Sequence, residues 1–508
     1  MHMFNKKIKE LEYKNNYYRN QIEELNVKVS SLTKELTDLT DKHNSIINDY
    51  EEKIKQLLSF LNTKNSSDSV SISENMIITE EMKHILELVD NDAIKLVFVH
   101  GSAGTGKSTL LKYICAQRPK DDYVLLAPTG IAAMNIDGAT IHSFFQIPPA
   151  NIYPNDNSNV TSLVKEKLEN VNLIIIDEIS MVRADLFDRL NSNLQYARNN
   201  NEFFGGVKLL LIGDLYQLPP ILQKQNYIDY EKLGYNKDHT FFFFSNAIND
   251  YLNLRHKLGF VELSHIFRQS DKEFIEILQK CRLGRVDDIT LDYLKKRFIP
   301  TINKEVINLV TTNALADNKN QNEYQKLLTE EKIFIARTTG NYETQNANNL
   351  PAPLKISLKI GTQVIITANN GKYYKNGTVG TITAISDNGV TVNISKENRS
   401  VLVTPYTWEI KEYDFDSNTK SFILNQKGSY TQIPLKYGWA ITIHKSQGLT
   451  LENVAINFGN GTFCTGQGYV ALSRVRSVDG LYFLSPLKKQ DFKADEDIEI
   501  FLEKLSSL

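Results

Sequence analysis

The ten residues His100-Gly-Ser-Ala-Gly-Thr-Gly-Lys-Ser-Thr109 set the architecture of this chain. From Gly101 to Ser108 they spell G-x-x-x-x-G-K-S, a loop whose backbone N–H groups can turn toward phosphate oxygens. The apolar run Leu96-Val97-Phe98-Val99 in front reads as a buried strand, and Leu110-Leu111-Lys112-Tyr113-Ile114 behind continues at helical spacing. Strand, loop and helix together are the context this motif requires, and the helix dipole adds positive potential at the loop. Gly101, Gly104, Thr105, Gly106, Lys107, Ser108 and Thr109 are therefore the expected nucleotide-binding residues. Lys107 is expected to reach the β- and γ-phosphates, and Ser108 to hold magnesium.

Further short apolar runs alternate with helical patterns: Tyr123–Ala127, Leu173–Ile176 and Leu209–Ile212. That alternation predicts an α/β core with a mostly parallel sheet. Ligands of open parallel sheets lie at the carboxyl ends of the strands, so the polar residues there should converge on the nucleotide. After Leu173–Ile176 stand Asp177 and Glu178. Asp177 is placed to hold magnesium through water, and Glu178 to deprotonate an attacking water. Gln217, in Gly213-Asp-Leu-Tyr-Gln-Leu-Pro-Pro220, can sense a γ-phosphate through its amide, with Asp214 supporting the loop. The competing reading is an Asx-type turn closed by the two prolines. Arg268 and Arg474 each follow an apolar segment and could form a positive fork opposite the γ-phosphate. An isolated arginine is more often a solvated surface residue, so these two need outside support.

Composition narrows the class. The 508 residues are 41% hydrophobic and 23% charged with a formal net charge of −2, which fits soluble globular material of two or three domains. That charge excludes whole-protein attraction to nucleic acid, so any such contact must come from a local groove. Cys115, Cys281 and Cys464 lack metal-ligand spacing and fit a reducing, intracellular compartment, with Cys115 a buried structural thiol. No signal peptide or membrane-length apolar run is present in the sequence.

Residues 1–61 are different in kind. Ile8, Leu11, Tyr18, Ile22, Leu25, Val29, Leu32, Leu36, Leu39, Ile46, Tyr50, Leu57 and Phe60 fit one heptad frame, with Asn15, His43 and Lys53 as polar exceptions. No proline or glycine interrupts them. The pattern predicts an N-terminal α-helical coiled coil, roughly 80 Å long as a single helix. Its seam calls for a partner: a second copy, another protein, or a fold-back on its own chain. Residues 62–75 are polar and serine-rich and read as a flexible linker. Thr79 is the expected N-cap of a helix through about Val89.

Taken in order, the motifs are similar to those of a superfamily-one helicase. They comprise the phosphate loop, Ala127-Pro-Thr-Gly-Ile-Ala-Ala133, Gly138-Ala-Thr-Ile-His-Ser-Phe144, Asp177-Glu-Ile-Ser-Met181, Gly213-Asp214 with Gln217-Leu-Pro-Pro220, and Phe267-Arg-Gln269. Thr442-Ile-His-Lys-Ser-Gln-Gly448 and Tyr469-Val-Ala-Leu-Ser-Arg474 follow. The stretch from Glu178-Ile-Ser-Met to Phe204-Gly-Gly206 resembles the signature of the PIF (petite integration frequency) helicases, in the RecD-like branch. The resemblance runs from about residue 76 to the C-terminus and leaves the coiled coil outside.

That resemblance implies two RecA-like motor domains, at 76–250 and 251–508, with ATP between them and 5′-to-3′ movement along single-stranded DNA. It makes Arg268 and Arg474 fingers reaching ATP from the second motor domain. It places Pro128, Thr129, His142 and Phe144 on the DNA path of the first motor domain, and Thr442, His444, Lys445, Ser446 and Gln447 on that of the second. Small polar groups and a lysine can follow a phosphodiester backbone, and an aromatic can stack on any base. For His142 taken alone, a core histidine is the default. The β-forming region from Asn376-Gly-Thr-Val-Gly380 to about Gln432 predicts a small inserted barrel at about 378–432, of SH-three type by the resemblance. The weakly patterned stretch of about 146–170 corresponds to a small wedge-bearing insertion. Where the family has a glutamine reading the adenine edge, Met82 stands here. A thioether packs on a base but cannot read its edge, which predicts a relaxed preference for ATP.

The function expected is therefore an ATP- and magnesium-dependent DNA helicase acting on single-stranded and tailed duplex DNA. Rival readings are a DNA- or RNA-stimulated translocase that separates no strands, a helicase subunit of a nuclease complex, and a coiled-coil scaffold with a vestigial ATPase. Which of replication, recombination, repair or telomere maintenance the chain serves is not legible in its residues.

Overall fold

The computed structural model describes residues 14–15, 19–34, 37, 77–148, 152–302, 306–340, 350–370, 373–394 and 399–507. The chain divides into two compact units, Met1–Ser71 and Ile72–Leu508. In the first unit, residues 19–34 are helical, and Ile22, Leu25, Val29 and Leu32 of the heptad seam are all exposed. The rest of the expected coiled coil, apart from 14–15 and 37, and the whole 62–75 linker lie outside the described residues. Among the described residues, no helix is long and apolar enough to cross a membrane.

The second unit is a mixed α/β structure built on two parallel sheets. The first has six strands: β1 (Leu96–Gly101), β2 (Tyr123–Ala127), β3 (Ala139–Thr140), β4 (Leu173–Ile176), β5 (Lys208–Gly213) and β6 (Leu258–Leu263). Their order is β3-β2-β4-β5-β1-β6. Every residue of β1, β2, β4 and β5 is buried, as expected of a parallel sheet covered on both faces. The pleat sorts them. Leu96, Phe98, Val124, Leu126, Ile174, Ile176, Leu209 and Leu211 feed one core, while Val97, Val99, Leu125, Ile175, Leu210 and Ile212 feed the other. Ahead of β1, the helix Glu80–Asp90 is capped by the Thr79 hydroxyl, which accepts from the Met82 N–H at 3.3 Å.

The second parallel sheet has four strands, ordered Ala440–Thr442, Ile307–Val310, Val454–Asn457, Leu481–Phe483. Helices Lys272–Arg282 and Gln467–Leu472 share its core through Phe274, Ile277, Leu278, Cys281, Val470 and Leu472. Between its strands the chain runs through antiparallel sheets. Five strands, from Gln363–Ile366 to Leu435–Tyr437, form one, and the long hairpin Tyr406–Asp416/Ser421–Gln432 pairs with Arg337–Gly340 in another. This insertion starts well before residue 378, since Glu331–Ile335 and Lys355–Lys359 already pair within it.

Three sequence expectations are corrected here. The first subdomain does not stop at residue 250: β6 pairs with β1 from Leu96↔Leu258 to Gly101↔Leu263. Nor does everything after residue 251 belong to the second. The final helix Glu496–Ser506 buries Ile498, Phe501 and Leu505 in the first core, with Phe501 stacked on Phe243 at 4.5 Å. Phe144, expected on the DNA path, is 1% exposed. Its ring meets Phe145 edge-on at 5.2 Å and Tyr413 of the long hairpin at 6.0 Å. Tyr413 also accepts the Leu125 N–H through its hydroxyl at 3.1 Å, so Phe144 lies where the insertion docks on the first sheet. An apolar ring is better hidden among aromatic neighbours than held in water for a base. The described part of the 146–170 stretch is likewise packed, with Ile147, Ile152, Val164 and Leu168 in the first core.

This placement gives a direct test. Phe144→Ala should cost about 3–5 kcal/mol in denaturant unfolding, as for a large core deletion, while single-strand affinity of the folded protein stays within about twofold. A variant of unchanged stability with weakened DNA binding would return Phe144 to the DNA path.

Candidate functional site

The loop after β1 owes its shape to two glycines. Gly106 caps the helix Lys107–Ala116 at φ 89°, a left-handed conformation that favours glycine. Gly104 has φ +89°, and a Cβ there would lie 2.6 Å from the Arg268 Cβ. The close approach is fixed by the Phe267 N–H, which donates to the Gly104 carbonyl at 2.8 Å. Thr105 is buried and donates to the Ser102 carbonyl at 2.9 Å, Ser108 is exposed, and Thr109 is half-buried. Lys107 donates from Nζ to the Gly101 carbonyl at 2.9 Å and the Ser102 carbonyl at 3.1 Å. Burial holds its pKa below the ordinary lysine value, against the pull of Asp214, Glu178 and Asp177. Met82 is corrected by its position. It is 0% exposed, and its methyl group lies beneath Gly106, 3.0 Å from where a Cβ would stand. It supports the loop and presents nothing to a base.

Opposite the loop stand the carboxylates. The Asp177 N–H donates to the Leu126 carbonyl at 2.9 Å, which sets the residue at the end of β4, and its Oδ1 accepts the Glu178 N–H at 2.9 Å. Glu178 adopts φ 53°, a strained choice for a residue with a Cβ, and this turns its side chain into the cleft. Burial and the neighbouring Asp177 push the Glu178 carboxyl up to about 7, and burial raises Asp177 as well. Gln447 then closes the gap. Its Nε2 donates to Glu178 Oε2 at 3.4 Å and to Gln217 Oε1 at 3.3 Å, and Gln217 Nε2 donates to Asp214 Oδ2 at 3.2 Å. Gln447, expected on the DNA path, thus lies against Glu178 and Gln217.

The two arginines approach this cleft from different places. Arg268 follows β6 of the first sheet, so it does not come from the second subdomain; its Nη1 donates to the Ser473 carbonyl at 3.0 Å. Arg474 is 1% exposed and engaged by its own subdomain, donating to the carbonyls of Val470 at 2.9 Å and of Ser446 and Leu449 at 3.2 Å. Burial and the charge of Arg268 lower its pKa to about 10. Both guanidiniums thus stand at the site, with Arg474 turned onto local carbonyls.

Sequence reasoning assigned no role to three residues in the same network. Tyr469 accepts the Ala103 N–H at 2.8 Å and donates to Asp214 Oδ2 at 3.1 Å. Arg282 places Nε 3.3 Å from Asp214 Oδ1 and its guanidinium over the Tyr216 ring at 4.7 Å. His100, 0% exposed at the end of β1, accepts the Leu215 N–H at Nε2, 3.2 Å away. Arg282 lies in a helix with no recognisable motif, and only the fold brings it here.

On the expected DNA path the residues separate into supports and exposed groups. Thr129 caps the helix Gly130–Asn135, and Pro128 beside it is half-buried. The His142 ring nitrogen Nδ1 lies 3.0 Å from the Ile147 carbonyl, and burial lowers its pKa. Thr442 Oγ1 accepts the Lys445 N–H at 3.3 Å, and the fully buried Ser446 donates to the Ile443 carbonyl at 2.7 Å, so both brace the turn His444–Ser446. Lys445 is exposed and His444 half-buried. The ring of Phe463 lies parallel to His444 at 5.7 Å and is 64% exposed, a face on which a base can stack. A lone aromatic in the glycine-rich stretch 459–466 offered no signal in the sequence.

As for magnesium, the described residues contain no group of three or more His, Cys, Asp and Glu side chains that could hold a metal alone. A serine hydroxyl at Ser108 and a carboxylate at Asp177, completed by phosphate oxygens and water, are the sparse oxygen set that this ion prefers.

Comparison with known proteins gives the family. Residues 77–291 match the PIF1-like helicase family, and residues 416–505 match a second family described as Helicase. The ATP-dependent DNA helicase PIF1 of Homo sapiens is 32% identical over 418 residues, covering 80% of this chain and 60% of the human protein. The ATP-dependent DNA helicase Pif1 of Campylobacter jejuni is 30% identical over 419 residues, covering 77% of this chain and 89% of that protein. Unliganded Pif1 from Bacteroides sp is 35% identical, with a TM-score of 0.74 over 85% of this chain and 98% of its own; the same helicase with ADP-AlF3 and single-stranded DNA gives 0.60. The chain spans about 60% of the length of several of the curated relatives that it matches. With this motif set, this sheet order and this likeness, the chain belongs to the PIF1-like helicase family.

Proposed function

We propose that this chain is an ATP-dependent DNA helicase that moves 5′ to 3′ along single-stranded DNA and unwinds tailed duplex. The observation that carries the reading is the Gln447 bridge. One amide from the second subdomain joins Glu178 to Gln217, both of the first, directly opposite the phosphate loop. A shift of the second subdomain thus changes the surroundings of the hydrolytic base. The relatives named for ATP-dependent DNA helicase activity, and the Bacteroides structure with ADP-AlF3 and single-stranded DNA, support the same reading.

In this scheme the loop from Gly101 to Thr109 wraps the phosphates, and Lys107 exchanges its two carbonyl partners for β- and γ-phosphate oxygens. Ser108 and Asp177 would hold magnesium, which when bound offsets phosphate charge. Glu178 takes a proton from the attacking water. Arg268 and Arg474 stabilise charge at the transferred phosphoryl once Arg474 leaves its carbonyls. His444, Lys445 and Phe463 on the second subdomain, and Pro128, Thr129 and His142 on the first, line the strand. The antiparallel insertion acts as an SH-three-type barrel that closes over DNA. Residues 1–61 act as a coiled coil for self-association or docking, in keeping with the exposed Ile22, Leu25, Val29 and Leu32.

Strand separation with ATP and magnesium on duplexes bearing a 5′ or a 3′ single-stranded tail tests the proposal. Unwinding should occur on the 5′-tailed substrate alone and vanish in Lys107→Ala. DNA-stimulated hydrolysis without unwinding of either would establish a translocase instead. The pH profile tests the base. Glu178 must be ionised to accept a proton, and its carboxyl sits at about 7. kcat/KM for ATP should therefore fall about tenfold per unit as pH drops below about 7. Glu178→Gln should lower it about 10²- to 10⁴-fold and abolish that acid limb. An unaltered limb in the variant would remove Glu178 from the role. For the coiled coil, light scattering should give a multiple of the chain mass for the full chain and a single mass for a chain beginning at residue 76; equal masses per chain would exclude self-association.

A further inference from the structure

Tyr469 and Arg282 belong to helices of the second core, yet both side chains end on one carboxylate of the first subdomain, Asp214. Asp214 is 0% exposed, Tyr469 3% and Arg282 5%. The Tyr469 hydroxyl is fully committed. It donates to Asp214 Oδ2 at 3.1 Å and accepts the N–H of Ala103, the third residue of the phosphate-loop motif, at 2.8 Å. The hydroxyl is thus a direct side-chain link between the phosphate-loop backbone and the helix Gln467–Leu472. That helix leads straight into Arg474. The Ser473 N–H donates to the Tyr469 carbonyl at 2.9 Å, and Arg474 Nε donates to the Val470 carbonyl at 2.9 Å.

We propose that Tyr469 is a positioning residue: its hydroxyl ties the phosphate loop to the helix that leads into Arg474, so that the loop's occupancy sets where that arginine stands. The inference rests on the proposed ATP hydrolysis and adds to it a named contact for transmission. Packing alone does not account for the residue, because a phenylalanine ring fills the same space. Only the hydroxyl reaches both Ala103 and Asp214. Arg282 holds Asp214 from the opposite oxygen, at 3.3 Å from Oδ1, and Gln217 Nε2 donates to the same Oδ2 as Tyr469, at 3.2 Å. A displacement of the Ala103 backbone therefore has a rigid, fully hydrogen-bonded route into the second subdomain.

The test uses the full chain with DNA-stimulated ATP hydrolysis and equilibrium binding of a fluorescent ADP. Tyr469→Phe should lower kcat about 10- to 100-fold, the scale of one buried hydrogen bond to a charged group, with KM for ATP and ADP affinity within about threefold of wild type. In an Arg474→Ala background the same substitution should add less than a twofold further loss, because the two residues act in one step. A kcat within twofold of wild type would overturn the proposal. So would a full additive loss in the Arg474→Ala background, which marks a merely structural bond. If Tyr469→Phe melts below the assay temperature, all variants are compared at a lower temperature at which it is folded, with the same non-additivity expected and additivity overturning the proposal. A wild type without DNA-stimulated hydrolysis would sink the parent reading; an active wild type with an unaffected Tyr469→Phe sinks this one alone.

Discussion

One buried carboxylate joins the two halves of the structure. Asp214 stands just past the end of β5, without solvent exposure, and receives Arg282 and Tyr469 from the second core and Gln217 from its own loop. An ionised carboxylate so placed is tolerable only while these donors remain, since an unpaired buried charge is far costlier than the pair. The guanidinium of Arg282 and the ammonium of Lys107 outweigh its burial and hold Asp214 below the usual carboxylate range. The relative placement of the two parallel sheets is thereby written into a handful of hydrogen bonds beside the phosphate-loop motif.

The same region gathers charge of both signs at close quarters. Glu178 and Asp177 are raised by burial, Lys107 is lowered by it, and Arg474 satisfies itself on carbonyl oxygens. Lys107 and Arg474 rest on carbonyl oxygens, the acceptor type that phosphate oxygens can replace: Gly101 and Ser102 for Lys107, Ser446 and Leu449 for Arg474.

The long hairpin and the C-terminal helix show how a chain defeats linear division into domains. Tyr413 and Phe422 of the hairpin, and Phe501 of the helix, complete the core beneath β1 although they lie more than 150 residues beyond β5. Phe144 was displaced from the DNA path by this long-range packing. Its motif neighbours are read locally, but the aromatic pocket that covers it comes from the insertion. Ser446 and Thr442 follow the same logic, since a short turn needs its hydroxyls to satisfy its own backbone before any strand can use them.

The phosphate loop, the capped helix Glu80–Asp90, the parallel strands and the pair Asp177-Glu178 were determined by sequence alone. Each depends on contacts within a few residues: glycines at positive φ, a hydroxyl cap, a wholly apolar run ending in carboxylates. What only the tertiary structure decided is which distant residues share a buried charge. Arg282 lies in no motif, and although His100, Gln447 and Tyr469 stand in or beside motifs, nothing in their spacing points to Asp214 or Glu178. They became partners because packing the two subdomains together buries the Asp214 carboxylate, and a buried charge must find its complement in whatever side chain the fold delivers.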